Sequence, residues 1–298
     1  QDERPQQNQE YIMKFGLMFS NIGPFAQPEG LTHLAQTVEN CGVESLWTVE
    51  HVVVPQGYQS EYPYSRDGRM PGPEESPIPD PILPLVYAAA FTSKIKLGTG
   101  ILILPQRHPF YVAKEIATLD VLSRGRAILG IGIGWLQEEF DAIGVPFADR
   151  AARTRESVSA LRSLWKAEPE AFDGKFYKWG PMHSNPGPVQ ANLPIVMGGH
   201  TDIAAKRAAR YCDGFFPAIG DVEQLKHLLG VLKAECEKLG RNVDEIEISV
   251  GAGIVDLDAV KRFEDVGVSR IAVAPAGFDK DSLEKGLVAF DDAVMSKI

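Results

Sequence analysis

The 298-residue chain predicts an α/β fold of the (β/α)8 TIM-barrel class. Three observations carry that prediction. Short, almost uninterrupted apolar runs alternate with longer amphipathic segments from end to end, eight of each occur, and no break in composition divides the chain in two. Near-continuous apolar strands are those of a parallel sheet covered on both faces. Regular alternation with helices implies right-handed crossovers, and eight such units close naturally into a barrel. A doubly wound sheet is the alternative.

In chain order, the strands fall at 15–19, 45–49, 95–101, 127–131, 194–197, 214–217, 246–250 and 271–274. The helical patterns between them fall at 28–41, 81–92, 109–122, 151–166, 203–211, 222–239, 258–266 and 280–295. Two connections exceed the usual length. Residues 52–80, rich in Pro, Gly, Tyr and Ser, follow strand 2 as an extended loop, and residues 168–193 form an insertion before strand 5. Long connections of this kind are lids or disordered segments. The first leaves the C-terminal end of a strand, the face on which barrels build their sites. The domain spans 13–298, beginning strand-like at Met13. The polar stretch 1–12 reads as an expression remnant or a disordered extension.

A formal charge of −10 with pI near 5.2 argues against a nucleic-acid partner, which calls for a basic stripe. No apolar run is long enough to span a bilayer, so no membrane association is expected. Cys41, Cys212 and Cys236 are far apart, without a CxxC pair, as reduced thiols in a cytoplasmic protein would be.

The chemistry is carried by a few stretches. In SLWTVEHVVVP (45–55), Glu50 and His51 interrupt an apolar run where burial of either one unpaired is costly. The readings are a catalytic pair, a core ion pair, or the place where the strand leaves the core. GIGIG (130–134) lacks the third glycine of a dinucleotide fingerprint, because Trp135 stands there. Gly134 then marks either a turn or a close approach of a flat ligand. In PIVMGGHTDIAAKRAAR (194–210) a strand runs into Gly198, Gly199, His200 and Thr201 and then a helix capped by Thr201 or Asp202. This is an anion site for a phosphate, or an ordinary tight turn. Gly98 and Gly100 near a strand end suggest a bulge, with Arg107 and His108 after it. The six histidines show no metal-ligand spacing, so no metal is expected, and no GxSxG elbow occurs.

Together SLWTVEHVVVP, KLGTGILILPQRHP, LDVLSRGRAILGIGIGWLQEEFDAIGVPFADRAARTRE, FDGKFYKWG and VMGGHTDIAAKRAARYCDGFFPA resemble the luciferase-like monooxygenase family of barrel flavoproteins. The resemblance is closest to the branch that uses the deazaflavin coenzyme F-420. It implies a non-prolyl cis peptide at Gly100–Ile101 backing the flavin ring, and a phosphate site at Gly198, Gly199, His200 and Thr201. It further implies an acid–histidine pair, Glu50 and His51, with the histidine as base, and a flavin-contacting segment containing Glu138. Relatives often carry Asp where Glu50 stands. The implied activity is hydride transfer between a small-molecule substrate and the deazaflavin, by a homodimer. Alternatives are an FMN-dependent monooxygenase and a non-catalytic flavin-binding barrel.

Overall fold

The computed structural model describes residues 13–253 and 255–298, so the tail assigned to residues 1–12 lies outside the described residues. Eight parallel strands, β1 (Lys14–Leu17), β2 (Ser45–Thr48), β3 (Lys96–Thr99), β4 (Ala127–Gly132), β5 (Ile195–Gly198), β6 (Gly214–Phe216), β7 (Glu247–Ala252) and β8 (Arg270–Val273), pair in sequence order. The circle closes because β1 pairs with both β2 and β8. Between and around the strands run α1 (Pro28–Asn40), α2 (Leu83–Ala89), α3 (Pro109–Leu122), α4 (Gln137–Ile143), α5 (Arg150–Leu164), α6 (Asp202–Tyr211), α7 (Val222–Leu239), α8 (Leu257–Glu264) and α9 (Lys280–Ala293). The barrel read from the sequence is the barrel observed.

Two apolar layers hold it. The larger lies between strands and helices, and a smaller one, Trp47, Ile128, Val196, Phe216 and Ala272, fills the inside of the barrel. The Trp47 indole occupies the axis, donates Nε1–H to Ser45 Oγ at 2.9 Å and meets the Phe216 ring edge-on at 5.2 Å. A Cβ at Gly16 or Gly98 would come within 2.7 Å of that indole, which accounts for glycine at both positions. At the N-terminal end of the barrel the buried Arg270 guanidinium binds Glu44 at 2.9 and 3.0 Å and Ser249 Oγ at 3.0 Å.

Two helices differ from expectation. The second was read to Thr92 but ends at Ala89, because the Arg126 guanidinium donates to the carbonyls of Ala89, Thr92 and Ile95 at 3.2, 3.0 and 2.8 Å. α4 was not anticipated; it has seven residues and closes at Gly144, whose φ is +79°. The insertion before β5 contains a two-rung antiparallel pair, Phe172–Asp173 with Lys178–Trp179. Glu156 accepts the backbone N–H groups of Lys175, Phe176 and Tyr177 at 2.9, 2.7 and 2.8 Å, fixing its turn.

The loop after β2 has no strand or helix over residues 52–80. Its two roots are tied together by buried Asn21, which accepts from Val49 N at 2.9 Å and donates to the carbonyls of Val49 and Pro79 at 2.9 and 3.1 Å. Thr48 Oγ1 adds a bond to Pro81 O at 2.8 Å. A long connection with clamped ends behaves as one unit laid over the barrel mouth.

Candidate active site

The C-terminal mouth of the barrel gathers the ends of β2, β3, β4 and β5. β2 ends at Thr48, so Glu50 and His51 stand on its outgoing lip, and the two are not paired with each other. Glu50 is buried, its Oε1 accepting from Arg107 Nε at 2.8 Å and from Arg107 Nη2, while its Oε2 accepts from the Ile103 amide. Arg107 also bonds Asp80 at 2.7 Å. Burial pushes the Glu50 carboxyl above the usual range against the pull of Arg107 and the Ile103 amide. Both Glu50 oxygens are therefore taken by the protein. The acid and histidine that the resemblance implies as a pair thus enter separate networks.

His51 Nδ1 lies 3.0 Å from Oε2 of Glu139, a carboxylate with no exposed side-chain surface. Oε1 of Glu139 accepts the backbone N–H groups of Val52 and Val53 at 2.6 and 3.2 Å. Burial raises the Glu139 pKa, but the hydrogen bond and charge of His51, the neighbouring Gln106 amide and the Val53 N–H outweigh it, leaving the group below its usual range. A carboxylate on Nδ1 fixes the ring orientation and, in the neutral ring, the Nδ1–H tautomer. Nε2 of His51 makes no hydrogen bond among the described residues. Sequence reasoning missed Glu139. Its one signal is spacing: Leu136, Glu139 and Phe140 share the buried face of α4, and only Glu139 is charged.

Glu138 points to the loop. Its Oε1 accepts from the amides of Gln59 and Ser60 at 2.6 and 3.1 Å, and its Oε2 from Ser60 Oγ at 2.6 Å. These donors, the Ser60 hydroxyl foremost, hold its pKa down at about 2. Consecutive carboxylates on α4 thus latch the loop at two places.

The peptide Gly100–Ile101 is cis, as the resemblance implied. The Ile101 side chain lies against Gly198, where a Cβ would sit 2.7 Å from Cγ2, and against Gly132, where it would sit 2.5 Å from Cδ1. The ends of β3, β4 and β5 therefore meet at one place, with Gly100, Ile101 and Gly198 in it. Gly134 has φ +80°, and a Cβ there would fall 2.5 Å from the Phe140 ring, so packing of α4 by itself demands glycine.

In the β5–α6 turn Gly199 has φ +116°, and Thr201 caps α6 by accepting from Ala204 N at 3.2 Å. First-turn N–H groups and the positive end of the helix face outward from such a turn. His200 adds a buried Nδ1 without a protein partner, and burial holds its pKa down. A glycine-permitted close approach with unpaired donors at a helix start fits a phosphate.

The loop covers this region with aromatic rings. Trp135 meets His51 at 5.5 Å, Tyr58 at 5.5 Å and Tyr62 at 5.2 Å; Tyr62 meets Tyr64 at 5.4 Å; and Tyr64 meets His200 edge-on at 4.6 Å. A chain of ring contacts thereby runs from the candidate base to the candidate phosphate turn. Burial and Tyr62 push the Tyr64 phenol up to about 12, so it stays a neutral donor. Among the described residues no three His, Cys, Asp or Glu side chains gather as metal ligands would, and no helix is long and apolar enough to cross a membrane.

Comparison with known proteins agrees with the fold. A family model described as luciferase-like monooxygenase matches residues 13–258. An uncharacterized protein of Mycobacterium tuberculosis is 35% identical over 214 residues, 71% of this chain and 74% of that protein. The 5,10-methylenetetrahydromethanopterin reductase of Methanopyrus kandleri is 29% identical over 267 residues, 84% of this chain and 68% of the reductase. The solved structure of a coenzyme F420 dependent tetrahydromethanopterin reductase from the same organism superposes with a TM-score of 0.72 at 21% identity, covering 93% of this chain and 97% of that one.

Proposed function

The chain belongs to the luciferase-like monooxygenase family, and from that premise we infer that it is a deazaflavin-dependent oxidoreductase, moving a hydride between a small organic substrate and coenzyme F-420. The observation that carries this reading is His51, with Nδ1 fixed by a buried carboxylate and Nε2 left open at the barrel mouth. A reaction that moves a hydride and a proton together needs one group of that kind. The related reductases support the choice of coenzyme.

A bound deazaflavin supplies the hydride-exchanging carbon, and the chain supplies orientation and proton handling. The Gly198–Thr201 turn holds the phosphate through backbone N–H groups. Gly100 and Ile101, at the meeting point of the β3, β4 and β5 ends, would back the ring. His51 takes or returns the substrate proton at Nε2, and Glu139 stabilises the imidazolium while that proton resides there. Glu50 keeps the segment after β3 in place through Ile103 and Arg107, a task one side chain removed from the reaction. The loop rings would line the mouth beside His51 and His200.

Titration of the purified chain with coenzyme F-420 and with FMN, followed by turnover in the presence and absence of oxygen, tests the reading. Tight F-420 binding with oxygen-independent hydride exchange is expected. Tight FMN binding with oxygen-dependent product would replace it by the monooxygenase alternative, and binding of neither would favour a barrel without that chemistry.

A further inference from the structure

Gln106 is a buried amide with its polar atoms unused. It closes a one-turn 3-10 helix, Leu104–Gln106, in the segment that follows the Gly100–Ile101 peptide. The residue is 9% exposed, and neither Nε2 nor Oε1 has a hydrogen-bond partner among the described residues. Its neighbours in the chain, Leu104 and Pro105, are buried and apolar. A side chain needed there only to fill space would be apolar too, because an unpaired amide opposes burial. The backbone has no freedom to relieve this. Glu50 holds it from both sides, Oε2 accepting from the Ile103 amide and Oε1 from Arg107 Nε at 2.8 Å. What stays adjustable is the terminal torsion of the glutamine, which is broad.

The group beside this amide is Glu139. Against the upward push of burial, the bond and charge of His51 and then the Gln106 amide hold that carboxyl below its usual range. An ionised carboxylate offers about four acceptor sites. On Glu139, Oε1 accepts from the Val52 and Val53 amides at 2.6 and 3.2 Å, and Oε2 faces His51 Nδ1 at 3.0 Å. One site on Oε2 is open, and the unused N–H groups of Gln106 lie next to it.

We propose that Gln106 is a positioning residue for the candidate base: its Nε2–H supplies the remaining donor to Glu139, on Oε2, and thereby fixes the carboxylate that orients His51. A carboxylate with every site filled is a weaker proton acceptor. The Nδ1 proton then stays on the ring with the negative charge behind it, the arrangement that proton transfer at Nε2 requires. The two networks at the barrel mouth are joined through this residue. Glu50 fixes the backbone of Gln106, Gln106 fixes Glu139, and Glu139 fixes His51. The role of His51 as base rests on the reading above; the contact between Gln106 and Glu139 does not.

Two measurements on the purified full chain test this. The first needs no coenzyme: the ring nitrogens of His51 are followed by two-bond proton–nitrogen NMR of histidine-labelled protein, assigned by their loss in His51→Ala. Gln106→Met, nearly isosteric but without an N–H, should move the Nδ1 resonance. Added to Glu139→Gln, the same substitution should leave Nδ1 where Glu139→Gln alone puts it. The second is kinetic: Gln106→Met should lower kcat about fivefold with KM within about twofold, and by less than about twofold in the Glu139→Gln background. An Nδ1 resonance that Gln106→Met leaves in place overturns the proposal. So does a loss of kcat that is equal in both backgrounds, or a loss of kcat/KM carried by KM. If neither F-420 nor FMN supports turnover, the coenzyme reading fails by itself and the nitrogen resonances decide. Methionine keeps the volume, so the fold should persist; should it not, Gln106→Leu is read by the same criteria.

Discussion

Glu50 and His51 are neighbours in the chain and end in different networks. Glu50 is closed on every side, by Arg107 and by the Ile103 amide, with Asp80 sharing the arginine. His51 is closed on one nitrogen by Glu139 and open on the other. Both groups are largely buried and each has a side-chain partner. What separates them is one free valence. A network with every donor and acceptor used can hold a backbone in place, whereas chemistry needs a group that is positioned and still has something to offer.

The largest test of that difference removes the closed network. Glu50→Ala leaves Arg107 facing a buried space and should lower the unfolding free energy by about 3 kcal/mol, the low end for a broken buried pair because Asp80 remains. Urea denaturation measures it; a loss below about 1 kcal/mol would show that the pair does not hold the mouth together. Next, His51→Ala should reduce turnover by about 10²–10⁴ while coenzyme affinity changes little. Unchanged turnover removes His51 from the reaction. Glu139→Gln keeps the volume but not the charge behind Nδ1, and roughly a tenfold fall in kcat at similar KM is expected. A fall equal to that of His51→Ala would mean that Glu139 touches the reacting atoms itself.

The smallest effect belongs to the other carboxylate of α4. Glu138 is lowered in the folded chain from an ordinary 4.5 to about 2. A depressed carboxylate contributes its stabilisation fully above the unfolded value and loses it as pH falls toward the folded one. Hydrogen exchange at the Gln59 and Ser60 amides, corrected for intrinsic rates, should therefore be slow at pH 5 and faster between about pH 4.5 and 2. Glu138→Gln should flatten that dependence. If the amides stay equally protected across the range, the latch is held by other contacts.

Much of the barrel was legible because parallel strands with both faces covered are apolar throughout, and each strand was found within a few residues of its observed position. α4 was not, since seven mostly polar residues carry little periodicity. The end of α2 was hidden for a different reason: Arg126, far along the chain, takes its carbonyls. The same logic divides the site. Local geometry was readable at Gly198–Thr201, where strand, glycines and cap are consecutive. The His51–Glu139 pair spans 88 positions and exists only because barrel closure brings β2 beside the helix after β4. Glu50 and His51 read as one pair in the sequence, but adjacent side chains at a strand end leave in different directions.

The ring contacts made by the loop have an optical consequence. Tyr58 and Tyr62 stand 5.5 and 5.2 Å from the Trp135 indole, distances at which tyrosine excitation passes efficiently to tryptophan. Trp47, sealed on the barrel axis, reports on the interior and is separate from those loop contacts. Of the four tryptophans, Trp47 views the scaffold and Trp135 its cover. With Trp47, Trp165 and Trp179 replaced by Phe, sensitised emission from Trp135 gauges cover position without an added label.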